Sequence, residues 1–412
     1  MRACIVGAGL GGLLAAANLA KEGFEVVVYE KLPYAGGRFT NMAYRGFQLS
    51  TGALHMIPHG EKGPLGRMLR SLSAGVEIIP SQPQAMFRIG GRDYEYEELP
   101  SIFPLRDRLK VAKIIAMLKL GRGAGSESYR SWLERQVKNE IVFKIADSFT
   151  GWSLSLSASE VPAGEVIAQT RNINKLGGPG IPAGGCGGVT QALVEVLESE
   201  GVRLLLKRRV ETIRRKGGVF EVFAGEKGSF ELVVSNAGPK ATAQLAGEIL
   251  PAEYRRAVSR IRGAAGIKIS VACKKPMLSH SGVLFTPEAR RINGINEVTN
   301  AVPELAPHGE HLLMSHQRLA EGADVKREIE LGLRDLRELF PEFKKYCRVL
   351  AVQVYRNSWP VNRAASGVHL PPATPVEGLY LVGDAVKPEG WMETDGIAAG
   401  VEEALRHIKA SY

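Results

Sequence analysis

Cysteine is scarce in this chain. There are four in 412 residues, Cys4, Cys186, Cys273 and Cys347, far apart in sequence and with no C-x-x-C pair. That spacing argues against a disulfide framework or a zinc site and reads as reduced thiols in a cytosolic protein. Long apolar runs are also missing, so no segment has the length needed to span a bilayer. No signal peptide is expected, because the apolar Ala3-Cys4-Ile5-Val6 leads into a glycine turn rather than a cleavage site. His55 and His59 are four residues apart but have no acidic partner motif, so no metal site is predicted. Acid falls short of base, 43 Asp+Glu against 53 Lys+Arg, for a net charge of +10. A basic balance favours anionic partners such as nucleic acid, acidic lipid headgroups or an acidic redox partner, yet no nucleic-acid module is visible.

What is present begins at once. Ala3–Val6 reads as a strand buried on both faces, and Gly7-Ala8-Gly9-Leu10-Gly11-Gly12 follows it. Leu13–Glu22 reads as a helix stopped by Gly23, and Val26–Tyr29 as a second strand ending at Glu30. Strand, glycine turn, helix, strand and acid in that order form a dinucleotide fingerprint. Gly7 permits the tight turn, Gly9 lets backbone approach a pyrophosphate, and Gly12 lets the helix pack on the strand. The pyrophosphate is favoured at the helix N-terminus by free N–H groups and the helix dipole. Glu30 is suited to the ribose hydroxyls and would repel a 2′-phosphate, which argues against NADP. These residues leave FAD and NAD both open.

Gly36-Gly37-Arg38 comes next, with two glycines for close backbone wrapping and an arginine for a phosphate. This stretch resembles the G-G-R motif of the flavoprotein superfamily of phytoene desaturases, retinol saturases and amine oxidases. Gly378–Asp384 resembles the same superfamily's strand ending in Gly-Asp, and Glu231–Pro239 its V-S-N-x-x-P segment, as in phytoene desaturases. Gly390–Gly400 resembles the amine-oxidase segment that opens the last helix. The resemblance runs from Arg2 to about His407. It implies FAD, held non-covalently, since no cysteine stands near the last helix.

The same resemblance implies roles for individual residues. Asp384, after Gly383, is placed on the ribityl and pyrophosphate region, Val210 beside the adenine, and Gly52 beside the isoalloxazine ring. The strand before Gly52 departs from the family pattern, with Gln48 and Ser50 where an acid is usual. Thr394 or Asp395 is a candidate cap for the last helix, whose N-terminus would stabilise charge on reduced flavin. Lys268 sits on an Ile-Lys strand like the one that holds a water against flavin N5 in amine oxidases. Trp391 matches one aromatic of their substrate cage; the second could not be placed. His55 is a candidate acid, base or polar anchor beside the flavin. Lys268, His55 and Trp391 are therefore the expected catalytic set, with structural alternatives open for Lys268 and His55.

The rest of the chain supplies a substrate domain. Met86–Tyr96 reads as a hairpin with a two-glycine turn. Residues 105–122 read as a basic amphipathic helix, suited either to an acidic membrane surface or to packing on its own core. A loop is expected at Gly121–Gly125, further helix from Trp132 to Phe149, and a polar turn region at Ser153–Ser159. The glycine-rich stretch 177–188 reads as a flexible loop before a helix at Val189–Glu198. Gln353–Arg356 reads as a strand, with Trp359, Pro360, Val361 and Asn362 after it.

The fold class expected is α/β, a Rossmann-like FAD-binding domain with a discontinuous α+β substrate domain. Residues 1–75, 180–240 and 355–412 are assigned to the first, and 76–179 and 241–354 to the second. The leading function is FAD-dependent redox chemistry on carbon–carbon bonds of a hydrophobic, isoprenoid-like substrate, as desaturase, saturase or isomerase. Amine oxidation is the alternative enzyme activity, and a non-catalytic flavin-binding role a third reading. The electron acceptor or donor is unassigned. The expected location is cytoplasmic, with peripheral attachment to the inner face of the membrane through residues 105–122 as a further expectation.

Overall fold

In the computed structural model, residues 1–412 are described except Ala53, 122–126, 357–364, 366, 368 and 412. The loop expected at Gly121–Gly125 lies mostly outside the described residues, and Trp359–Asn362 lie wholly outside them.

Two sheets organise the chain. The first has five parallel strands in the order Leu379–Leu381, Leu232–Ser235, Arg2–Val6, Glu25–Tyr29, Arg203–Leu205. All five come from segments 1–75, 180–240 and 355–412. Arg2–Val6 is its central strand and is buried from Ala3 onward, as a parallel strand covered on both faces must be. Helices Leu10–Lys21, Gly185–Ser199 and Glu393–Ser411 share one apolar core over one face of this sheet. A small three-stranded sheet, Thr212–Lys216, Val219–Phe223 and Lys227–Phe230, contributes to the core on the other.

The second sheet has seven strands in the order Cys347–Tyr355, Gly266–Cys273, His311–Arg318, Gly294–Glu297, Val283–Phe285, Ala85–Ile89, Arg92–Glu95. Its neighbours run antiparallel except Val283–Phe285 with Ala85–Ile89. All lie in 76–179 and 241–354 apart from Tyr355, the last residue of the outermost strand. Helices from Leu105 to Leu176 pack into a separate apolar core around Trp132, Phe143 and Ile167.

Several local expectations differ from the structure. The first helix is Leu10–Lys21, so Leu10, Gly11 and Gly12 form its first turn, and the strand expected at Gln353–Arg356 is the end of Cys347–Tyr355. Ser153 and Leu154 belong to the helix Glu140–Leu154, so the polar turn starts later. The predicted Trp132–Phe149 helix is two helices, Tyr129–Glu134 and Glu140–Leu154. The glycines 185–188 are not a flexible loop but the first turn of the helix Gly185–Ser199. A Cβ on Gly188 would stand 2.2 Å from the Ala183 carbonyl oxygen, so this glycine serves close packing.

Candidate functional site

A cavity of about 1130 Å³ runs from the glycine turn of the first sheet to the edge of the second. Its floor is bare backbone. Gly7 turns out of the first strand at φ +95, and its N–H donates to the Tyr29 carbonyl at 2.8 Å. Gly9 bridges to Gly36, whose N–H donates to the Ala8 carbonyl at 2.7 Å. The expected G-G-R segment therefore lies flat against the expected glycine turn, with no side chain between them. A Cβ on Gly12 would lie 2.0 Å from the Gly7 carbonyl oxygen, which is why helix and strand pack so closely here.

Charged side chains stand on the wall beside this floor. The Glu30 carboxylate is buried and accepts from the Ala8 N–H at 2.7 Å and the Leu32 N–H at 2.8 Å. Asp384 follows Gly383, which has φ +112, and pairs with Lys387 Nζ at 2.9 Å and Arg38 at 3.8 Å. The cavity wall thus carries an acid held by backbone N–H groups and an acid paired with two cations.

Of the residues expected to hold a nucleotide, Gly7, Gly9, Glu30, Gly36, Gly37, Arg38, Gly52, Val210, Gly383, Asp384 and Thr394 line the cavity. Gly12 does not, since its closeness is spent on packing. Asn236, the asparagine of the V-S-N-x-x-P segment, was given no role of its own in the sequence. Its side chain would be met by a Cβ added at Gly9 (2.5 Å), Gly11 (2.8 Å) or Gly383 (2.7 Å), so it fills the space that three glycines leave. Its signals were that motif and its position: it follows directly on the buried strand Leu232–Ser235, beside the strand Arg2–Val6. Lys387 was likewise missed, although it stands three residues after Asp384.

The expected catalytic trio is placed differently. None of Lys268, His55 and Trp391 appears on the cavity wall. Lys268 is on an interior strand, fully buried, and its Nζ donates to Ser50 O, Ser50 Oγ and Gly52 O at 2.6, 2.7 and 2.8 Å. The Gly52 peptide, which does line the cavity, therefore accepts from this lysine and also from the Tyr355 hydroxyl at 2.6 Å. Burial pulls Lys268 from 10.5 down to about 7. His55 Nε2 lies 2.8 Å from the Gln48 carbonyl, and His55 Nδ1 accepts from the Cys186 N–H at 3.0 Å. With both nitrogens occupied and burial lowering it to about 3, His55 is a neutral clamp between two segments. Trp391 stands edge-on to His59 at 5.6 Å between ring centroids. Asp395 does not cap its own helix. Its carboxylate accepts from the His59 ring and N–H and from the Leu65 N–H, tying the last helix to the 59–65 turn.

The floor suits a flavin nucleotide. Thr394 Oγ1 opens the last helix, is buried and has no hydrogen-bond partner among the described residues. It waits on the wall for a polar group from a ligand. Gly7, Gly9 and Gly36 would hold the pyrophosphate, Glu30 the ribose, and Asp384 with Arg38 the ribityl and phosphate region. No cysteine lines the cavity, so the held group is not positioned for a thioether link.

A parallel nucleotide sheet joined through this cavity to a larger, mainly antiparallel sheet defines a flavin-dependent oxidoreductase. The chain belongs to the flavin containing amine oxidoreductase family, whose model matches residues 10–406. FAD is its cofactor, and its superfamily is that of amine oxidases and carotenoid desaturases. An uncharacterized protein of Methanocaldococcus jannaschii is 43% identical over 410 residues, covering the whole of both chains. A crystal structure of an oxidoreductase from Methanosarcina mazei, also 43% identical, covers 98% of this chain and 100% of its own with a TM-score of 0.94. Prolycopene isomerase 2 from an Oncidium hybrid cultivar is 24% identical over 479 residues, 94% of this chain and 80% of the isomerase. Putrescine oxidase bound to putrescine shares the fold at 18% identity, with a TM-score of 0.77 over 99% of both chains.

Proposed function

We propose that this oxidoreductase moves hydride to or from carbon–carbon bonds of a hydrophobic, isoprenoid-like substrate. When bound, FAD supplies the two-electron acceptor or donor at its N5. The observation that carries the reading is the wall beside Gly52. Leu54, Met56 and Leu156 line the cavity there, giving an apolar surface next to the expected ring position. Whole-length similarity to a prolycopene isomerase supports the same substrate class.

The charge of the cavity speaks against a protonated amine. Eight basic side chains (Lys31, Arg38, Arg208, Arg209, Lys240, Arg262, Arg318, Arg356) line it against five acidic ones (Glu30, Glu160, Glu321, Asp384, Glu393). The FAD pyrophosphate offsets two of that surplus of three charges, and the remaining positive balance disfavours an entering cation. The protein's own work is then to hold FAD, to exclude water from the Gly52 wall, and to keep Lys268 and Tyr355 fixed on that peptide.

The same reading includes delivery from a membrane surface. The helix Leu105–Leu120 buries Val111, Ile114 and Leu118 and leaves Leu105, Leu109 and Leu120 outside, at 73%, 73% and 63% exposed. Arg106, Arg108, Lys110, Lys113 and Lys119 flank those leucines. An apolar stripe bordered by cations suits an acidic lipid surface. No helix among the described residues is long and apolar enough to cross a membrane.

Solvent extraction of the purified holoprotein, followed by mass spectrometry, tests the substrate class. A co-purifying polyene or isoprenoid that alters the flavin spectrum when added back is the expected result. Anaerobic bleaching of the flavin by monoamines or polyamines would overturn the proposal in favour of amine oxidation.

A further inference from the structure

Two of the four cysteines, 74 residues apart in sequence, meet at one end of the seven-stranded sheet. Cys273 and Cys347 are directly opposite one another on adjacent antiparallel strands. Their Sγ atoms are 2.8 Å apart. Side chains directly opposite on neighbouring strands share one face of a sheet. On its other side Cys273 is opposite His311, so Cys347, Cys273 and His311 form a row across three strands. The His311 ring has Nδ1 3.4 Å from a carboxylate oxygen of Glu297, a buried acid. No metal-holding group of this kind exists among the described residues, so the row is not a metal site. Nor does it border the cavity, so the proposed function does not use it.

The two thiols are inequivalent. Cys273 is fully buried, whereas Cys347 begins the outermost strand of the sheet and is half-buried. The Cys273 thiol pulls Cys347 below its ordinary range, while the same contact and burial push Cys273 upward. A half-buried thiol shifted toward its thiolate and a second thiol in contact with it are the parts that thiol–disulfide exchange requires.

We propose that Cys347 and Cys273 form a dithiol–disulfide couple that exchanges two electrons with low-molecular-weight disulfides. The Cys347 thiolate attacks one sulfur of the small disulfide and expels the other half as a thiolate, giving a mixed disulfide on Cys347. Cys273 then gives its proton to the small thiolate released in the first step and attacks the Cys347 sulfur. The Cys273–Cys347 bond forms as the second small thiolate leaves. Two protein thiols are oxidised, one small disulfide is reduced to two thiols, and the two protons released end on those thiols. The bond ties the outermost strand, which ends at Tyr355 on the cavity, to its neighbour.

The test is made on the folded holoprotein incubated with oxidised glutathione, acid-quenched, alkylated and mapped by mass spectrometry without reduction. The expected product is one linked peptide pair containing Cys273 and Cys347, with Cys4 and Cys186 alkylated only after unfolding. In the Cys273→Ser variant, the glutathione adduct on Cys347 should persist, because no second thiol is in place to displace it. Alkylation of both Cys273 and Cys347 in the treated wild type, or a lasting glutathione adduct there beside a free Cys273, overturns the couple.

Discussion

Lys268 and Gly52, 216 residues apart in sequence, are joined by a 2.8 Å hydrogen bond from the lysine ammonium to the glycine carbonyl. The bond crosses from an interior strand of the large sheet, next to its edge, to the segment that lines the cavity. It fixes the one peptide on that wall whose carbonyl also receives the Tyr355 hydroxyl. Lys268 therefore reads as a positioning residue behind the wall, where the family resemblance led us to expect it in contact with a water at the flavin.

Replacing Lys268 with Met leaves Ser50 O, Ser50 Oγ and Gly52 O without their shared donor. A loss of about 1–3 kcal/mol is expected in denaturant unfolding. The pH dependence carries a sign. With its folded value lowered from 10.5 to about 7, the folded chain gives up this proton before the unfolded chain does. Between those two values the unfolded state holds more protons, so stability rises with pH. Wild type should show that rise relative to Lys268→Met, and parallel pH profiles would refute it.

His55 works in the acid range. Its folded value is lowered from 6.5 to about 3, so its contribution is complete above 6.5 and is lost as pH falls. The loss reaches on the order of 4 kcal/mol by pH 3. Acid unfolding of wild type and His55→Gln should therefore converge at low pH and diverge near neutrality. A constant difference across the range would remove the clamp role.

The glycine floor gives a graded series. Gly12→Ala drives a Cβ into backbone at 2.0 Å, whereas Gly9→Ala meets the tip of the Asn236 side chain at 2.5 Å. Gly12→Ala should abolish soluble folded protein or cost more than about 3 kcal/mol, while Gly9→Ala folds and loses flavin. Asn236→Leu, which keeps bulk and removes the polar atoms, should fold with reduced flavin absorbance per protein. Full flavin content in Asn236→Leu would show that its amide is dispensable.

Membrane contact is tested at the exposed leucines. Leu105→Ser, Leu109→Ser and Leu120→Ser together should reduce pelleting with acidic vesicles while the buried Val111, Ile114 and Leu118 keep the helix folded. Each lost leucine removes about 1.5–3 kcal/mol of apolar transfer at full insertion, so the triple change should lower binding by more than tenfold. Raised salt should weaken wild-type binding through the flanking cations. Equal pelleting of variant and wild type, or no wild-type pelleting, would refute the contact.

Much of this protein was legible in the sequence because the information is local. The turn at Gly7, the acid at Glu30 and the pair Gly36-Gly37 are dictated by backbone conformation and by spacing between adjacent elements. Those rules act over a few residues and survive in a one-dimensional reading. The family resemblance added the distant Gly383-Asp384, which local rules alone would not have joined to Gly9.

What only the tertiary structure decided is which side chains face one another across elements. Lys268 looks the same in sequence on an edge strand facing solvent and on an interior strand reaching Gly52; strand order settles that, and strand order depends on long-range pairing. Asn236 gained its place because Gly9, Gly11 and Gly383 all leave room at one point. Cys273 and Cys347 appeared isolated because sequence separation hides register, and antiparallel pairing brought them together. Backbone preferences are written residue by residue. Contacts between distant side chains depend on the order and register in which the buried strands pack, and these appear only once the chain has folded.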